Sequence, residues 1–284
     1  MAFVPDLQFV WDLPMKLGIG SYTFMWSIGF PGAVPEIPMD AFGLLAKAVE
    51  LGVGTVQLGP NLPLADLAEK DFDRFLRDAR AANMQIELAT RGMDAHHLRK
   101  QLGLAQRAGC KMLRTIPESP NGHPLSIAKL EESIRTILPD LESTKIQLTL
   151  ENGRIPARDL AELLDQLDSD WIGITLDTVN SLAIPEGTDE VVSALARHTT
   201  CFHIKDFIVR REWHMMGFVV EGRPAGLGQL KLPSILNALD QWGASPVAIL
   251  ELWPPEQPHL SETVALEHAW ARVSIDYLRK YIVD

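Results

Sequence analysis

The chain has 284 residues, 46% of them hydrophobic, which is ample for a large core. Its 37 acidic against 26 basic residues leave a formal net charge of −11, a poor match for a non-specific nucleic-acid binder. No apolar run reaches the roughly 20 residues of a membrane helix, and Met1-Ala2-Phe3-Val4-Pro5-Asp6 lacks the basic and apolar regions of a signal peptide, so the expected location is the cytoplasm.

Residues 1–15 read as an N-terminal lead-in. A first strand is predicted over 16–24 and a helix over 39–51, closed by Gly52 and Gly54. A strand at 55–59 and a charged amphipathic helix at 64–83 follow. Next come a strand at 85–90, a helix at 94–109, a strand at 112–116, and a loop rich in Pro, Gly and Ser at 117–124. Helices at 126–141 and 157–167 flank a strand at 147–152. A strand at 171–177, a helix at 188–197 and a strand at 202–209 come next. An irregular segment occupies 210–231, before a helix at 232–242, a strand at 247–252 and a closing helix at 262–281.

Eight strands alternating with eight helices require parallel strands joined by crossovers. The expected fold is a single-domain α/β (β/α)8 TIM barrel over 1–284, with a doubly wound open sheet as the competitor. No Gly-x-Gly-x-x-Gly follows the first strand, which weakens a dinucleotide-binding reading. Cys110 and Cys201 lie far apart, one before and one inside an apolar strand, and read as buried thiols.

Four strands deliver a metal-competent side chain near their C-terminal ends. Gln147-Leu148-Thr149-Leu150-Glu151 ends on a carboxylate, Gly173-Ile174-Thr175-Leu176-Asp177 on another, and Val247-Ala248-Ile249-Leu250-Glu251 on a third. Cys201-Phe202-His203-Ile204-Lys205-Asp206 carries an imidazole. Barrels of this kind place their chemistry at this rim. One β/α unit separates Glu151 from Asp177, and another separates Asp177 from His203. Strand eight would bring Glu251 across the mouth. Three carboxylates and an imidazole favour Mn2+, Mg2+ or Co2+ with open water positions, and leave Zn2+ open. A lone strand-end carboxylate is commonly only a solvated residue or a cap; four at inward parity are harder to explain that way.

The endings Leu-Glu-Asn, Leu-Asp-Thr-Val-Asn-Ser, Phe-His-Ile-Lys-Asp and Leu-Glu resemble those of the xylose-isomerase-like barrel superfamily, in its sugar phosphate isomerase/epimerase branch. The resemblance spans essentially the whole chain; it is specific for the superfamily and poor for the substrate. It implies a divalent metal, Mn2+ foremost, held by Glu151, Asp177, His203 and Glu251, with Glu151 and Glu251 as the acid/base pair. Asn180 stands where many relatives carry a histidine, and Gly226-Leu227-Gly228 where many carry Gly-Glu-Gly.

The expected activity is a metal-dependent sugar isomerase or epimerase acting on a ketose or related α-hydroxy-ketone. Proton abstraction would give a metal-stabilised enediolate. The alternative is a lyase or dehydratase of a keto-sugar, keto-glycoside or inosose, which begins with the same step. An endonuclease-IV-type nuclease and a non-catalytic subunit are the remaining readings. Lys205 shares parity with His203 and is assigned to catalysis, against the reading of a snorkelling lysine. Asn180, Arg211, Trp213 and Glu87 are assigned to substrate binding. For Glu87 a structural carboxylate paired with Arg91 or Arg114 is the competing reading. For Arg211 and Trp213, within a lid formed by 210–231, the competitor is an ordinary long loop or an oligomer contact. The expected partner is a small sugar, with no nucleic acid, no membrane and a homo-oligomer left open.

Overall fold

The computed structural model describes residues 15–283, so nearly all of the expected lead-in, and the leader reading, fall outside the described residues. In chain order the elements are β1 (Leu17–Gly20), α1 (Met25–Ile28), α2 (Ala41–Leu51), β2 (Thr55–Leu58), α3 (Glu69–Ala81), β3 (Gln85–Arg91), α4 (Ala95–Ala108) and β4 (Met112–Ile116). They continue with α5 (Ile127–Thr144), β5 (Gln147–Glu151), α6 (Ala157–Leu167), β6 (Ile172–Asp177), α7 (Thr188–Leu195) and β7 (Thr199–Ile204). The last are β8 (Asp206–Arg211), β9 (Phe218–Arg223), α8 (Leu232–Gln241), β10 (Val247–Leu250) and α9 (Leu260–Leu278). Eight strands close a barrel in the order β1-β10-β7-β6-β5-β4-β3-β2, every pair parallel. The fold is the TIM barrel the alternation predicts.

Local chemistry sets the element ends. Asp40 and Asp94 accept from backbone N–H groups three residues on, each at 2.8 Å, and so start α2 and α4. Gly52 and Gly109 close the same helices in the left-handed region, at φ 68° and 73°. Two apolar layers result. The larger lies between barrel and helices and includes Leu44, Phe75, Leu98, Ile134, Leu236 and Leu278. The smaller fills the barrel with Met112, Cys201 and Ile249. Both cysteines are buried and free.

The chain departs from the expected elements at three places. The first strand ends at Gly20, because the Thr23 hydroxyl takes the Gly20 N–H at 2.9 Å and turns the chain toward α1. Glu267 of α9 then caps α1, accepting from Trp26 N at 2.8 Å and Ser27 N at 2.9 Å. The 64–83 helix opens as a short 3-10 turn, Leu64–Asp66, with α3 starting only at Glu69.

The third departure matters most. The seventh strand breaks at Lys205, and the segment expected to be irregular forms an antiparallel hairpin, β8 with β9. The buried Asp206 carboxylate drives the break. It accepts four backbone N–H bonds, from Phe207 at 2.8 Å, Gly226 at 2.8 Å, Gly228 at 3.0 Å and Leu230 at 3.0 Å. A Cβ on Gly228 would lie 2.1 Å from Asp206 Oδ1, so only glycine lets the returning chain close this approach.

Asp206→Ala would strand these buried donors. We expect a loss of about 2–4 kcal/mol in unfolding free energy by urea titration. An unchanged midpoint would show that the hairpin is held by other contacts.

Candidate metal centre

Registers bring the rim residues level. Asp177 pairs with His203 across β6 and β7, and His203 with Ile249 across β7 and β10. Glu251 follows two residues beyond Ile249, on the same side. One ligand atom each from Glu151, Asp177 and His203 lies within 4.8 Å of the others, and all three residues are buried. Glu251 borders this group, with Oε1 3.2 Å from His203 Nδ1. His203 Nδ1 is buried without a hydrogen-bond partner.

Two cations interlock with the carboxylates. The Arg114 guanidinium, 2% exposed, abuts Glu151 Oε2. The Lys205 ammonium lies 2.7 Å from both Asp177 Oδ2 and Glu251 Oε2. Asn180 bridges the two halves, donating to Glu151 Oε1 at 2.5 Å and accepting from Lys205 at 3.2 Å. Asp177 Oδ1 accepts from Val179 N at 2.8 Å and Asn180 N at 2.7 Å, and Asn152 holds the Asp177 backbone at both its N–H and its carbonyl.

Burial dominates the titrations. It raises Glu151 to about 7 against the opposing field of Arg114. It lowers His203 to about 4, so the ring is neutral near neutrality. Burial would also raise Glu251, but the cations around it, Lys205 in direct contact, hold it below the usual carboxylate range. Lys205 loses solvation too, yet Asp177, Glu251 and Glu151 outweigh that and keep it charged.

The donors fit a divalent cation. The Nδ1 atom of a neutral imidazole, buried without a hydrogen-bond partner, stands 3.2 Å from a Glu251 oxygen and within reach of Glu151 and Asp177 oxygens. Carboxylate oxygens and one imidazole suit Mg2+, Mn2+, Co2+ or Zn2+.

Other assigned residues lie apart from this cluster. Glu87 is buried inside the barrel and bonds Gln57 and Gln85, at 3.3 and 3.1 Å. The arginine pairings offered for it do not form: Arg91 bonds Glu118 at 2.6 Å and Arg114 meets Glu151. Arg211 and Trp213 belong to the hairpin. Arg211 donates to the Met215 carbonyl and stacks on Phe218, while Trp213 is 88% exposed.

Arg114 and Gln57 are the site residues that strand-end reasoning passes over. Their signal was present: each is a polar residue at inward parity in an apolar strand. Tyr22 and Trp253 join Met25, Val179, Asn180, Lys205, Glu251 and Leu252 around a cavity of about 260 Å³ at the mouth.

The sequence matches the xylose isomerase-like TIM barrel family over residues 45–281, and the chain belongs to that family. It is 31% identical to 3-oxo-isoapionate decarboxylase of Pectobacterium atrosepticum over 265 residues, which is 93% of this chain and 95% of that protein. The fold resembles a xylose isomerase-like TIM barrel protein from Mycobacterium smegmatis in complex with magnesium, with TM-score 0.67, 15% identity, and coverage of 94% and 98% of the two chains. It also resembles D-psicose 3-epimerase from Clostridium cellulolyticum H10, with TM-score 0.69, 13% identity, and coverage of 93% and 98%. Among the described residues no helix is long and apolar enough to cross a membrane.

Glu87 supplies a pH test in the metal-free protein. Burial raises its folded carboxyl to about 7 from the reference 4.5. The folded state then holds a proton that the unfolded chain has released. The resulting stabilisation is full below 4.5 and lost as pH rises to 7. The advantage of wild type over Glu87→Gln is expected to shrink by up to about 3 kcal/mol between pH 4.5 and 7 in urea titrations, then level off. A constant difference would mean that Glu87 is ionised throughout.

Proposed function

We propose that this protein is a metal-dependent lyase that releases carbon dioxide from a small 3-oxo sugar acid in the cytoplasm. The observation that carries the reading is the charge of the buried cluster. With Glu151 ionised, as it is above about pH 7 and as a bound cation would hold it, Glu151, Asp177 and Glu251 supply three negative charges, Arg114 and Lys205 two positive ones, and His203 is neutral. That set is one charge negative. A divalent cation makes it one charge positive, and a monoanionic substrate then neutralises it. Buried charge that is left uncompensated is costly, so the site favours a sugar acid over a neutral ketose. The 31% identity to a decarboxylase of a 3-oxo acid, over nearly the full length of both chains, supports the same class.

Glu151, Asp177, His203 and Glu251 would hold the cation, with Mn2+ or Mg2+ best suited to the oxygen-rich set. Bound there, it would act as a Lewis acid toward the substrate carbonyl. The protein groups do the rest. Tyr22, Leu252 and Trp253 wall the mouth cavity and exclude water from the substrate. As the carbon–carboxylate bond breaks, its electron pair moves into the carbonyl as an enolate. Lys205 Nζ, in the cavity wall beside Glu251, delivers one proton to the carbon that lost CO2 and regains one from solvent before the next turnover. Asn180 orients Lys205 and Glu151 together. This chemistry needs an acid and no carbon base, and each glutamate is already engaged by a cation.

The isomerase or epimerase reading keeps one supporting observation. Glu151 and Glu251 both approach His203 Nδ1, at 4.0 and 3.2 Å, so two carboxyl groups border the same site and could serve as an acid/base pair. The two separate by experiment. The Mn2+-loaded protein is offered 3-oxo sugar acids and neutral ketoses in D2O, with evolved CO2 and deuterium uptake both followed. We expect CO2 from the acid, with kcat lowered at least about 100-fold in Lys205→Met. Deuterium entering a neutral ketose, with no CO2 from any acid, would overturn the proposal in favour of epimerisation.

A further inference from the structure

From exposed Lys16 up into the barrel interior runs a chain of side-chain hydrogen bonds that the proposed chemistry does not use. Lys16 Nζ donates to Gln85 Oε1 at 3.2 Å. Gln85 Nε2 donates to Glu87 Oε1 at 3.1 Å. Gln57 Nε2 donates to Glu87 Oε2 at 3.3 Å, and Gln57 Oε1 lies 2.9 Å from His203 Nε2. Gln57, Glu87 and His203 are all buried.

The chemistry of the end groups fixes the direction of every bond. An ammonium can only donate, so the Gln85 amide must present its oxygen to Lys16 and its nitrogen to Glu87. Above about pH 7 the Glu87 carboxylate is ionised and can only accept, so Gln57 must present its nitrogen to Glu87 and its oxygen to His203. The His203 nitrogen facing that oxygen must then carry the proton. Nδ1, which has no partner of its own, is left with a lone pair directed at Glu151 and Glu251.

We propose that Gln57, aimed by Glu87, is a positioning residue that locks His203 in the Nε2–H tautomer and so presents Nδ1 as a ligand to the cation. Its consequence for metal affinity rests on the metal-dependent reading above; the tautomer itself does not. Turned the other way, the Gln57 amide would offer N–H to Nε2, drive the proton to Nδ1 and block the ligand position. The carboxylate at position 87 prevents that turn, because the inverted amide would set oxygen against oxygen. Partners of this kind on a ligating histidine change metal affinity roughly 10- to 100-fold.

The test follows both quantities at pH 8. Histidine ring 15N shifts of the metal-free protein report the tautomer, and Mn2+ titration reports affinity. Wild type is expected to show His203 protonated at Nε2. Gln57→Leu should lose that preference and weaken Mn2+ binding roughly 10- to 100-fold. Gln57→Glu combined with Glu87→Gln, in which the carboxylate at position 57 accepts both from Nε2–H and from the amide at position 87, should restore both to within a few-fold of wild type. Glu87→Gln, which keeps the side-chain volume, should mix the tautomers and weaken binding less. A Nδ1–H tautomer in wild type, or an Nε2–H tautomer unmoved in both Gln57→Leu and Glu87→Gln, overturns the inference. Tautomers as expected in a wild type that binds no Mn2+ would support the lock and refute the metal-dependent reading instead.

Discussion

The site depends on charges that compensate one another out of water. Three carboxylates at strand ends would be prohibitive alone in so dry a place. Arg114, threaded up the barrel interior, and Lys205, at the break in β7, make the arrangement tenable. Each offsets the charge of a carboxylate it touches and also fixes its direction. The cluster is therefore preorganised by ion pairs as well as by packing, and its remaining negative charge leaves it receptive to a cation.

The barrel divides its labour between its ends. Below the rim, inward positions hold a small apolar plug of Met112, Cys201 and Ile249, threaded by the polar line from Lys16 to His203. Above it the strands end, and backbone groups freed from the sheet hold side chains: Val179 and Asn180 bond Asp177. The chain then turns out at Asp206 into the hairpin. There the apolar side chains of Trp213, Met215, Met216 and Phe218 face solvent on a segment with its own two-stranded ladder.

Much of this was legible in the sequence. The alternation of periods gave the barrel, and a carboxylate or imidazole closing each of four apolar strands gave Glu151, Asp177, His203 and Glu251. Parity with His203 gave Lys205, which does reach Asp177 and Glu251. What escaped had a shared cause: its meaning depends on which residue stands across the barrel. Arg114 reads from the sequence only as a possible partner of Glu87, and becomes the partner of Glu151 when β4 and β5 pair. Gln57 and Glu87 become a relay only when β2 and β3 align them in register. The hairpin was missed because Phe207-Ile208-Val209 continues the apolar run of β7 without a turn residue. The break at Lys205 comes from four distant backbone donors converging on Asp206.

The relation to a decarboxylase and the likeness in fold to an epimerase set one scaffold against two outcomes. Charge decides between them in the reading offered above, since both would begin from the same polarised carbonyl. The most direct measurement is an anomalous difference map from crystals grown with Mn2+. The account predicts one strong peak within bonding distance of carboxylate oxygens of Glu151, Asp177 and Glu251 and of His203 Nδ1. A cluster free of any peak at saturating Mn2+, with the Lys205 and Arg114 ion pairs intact, would contradict it.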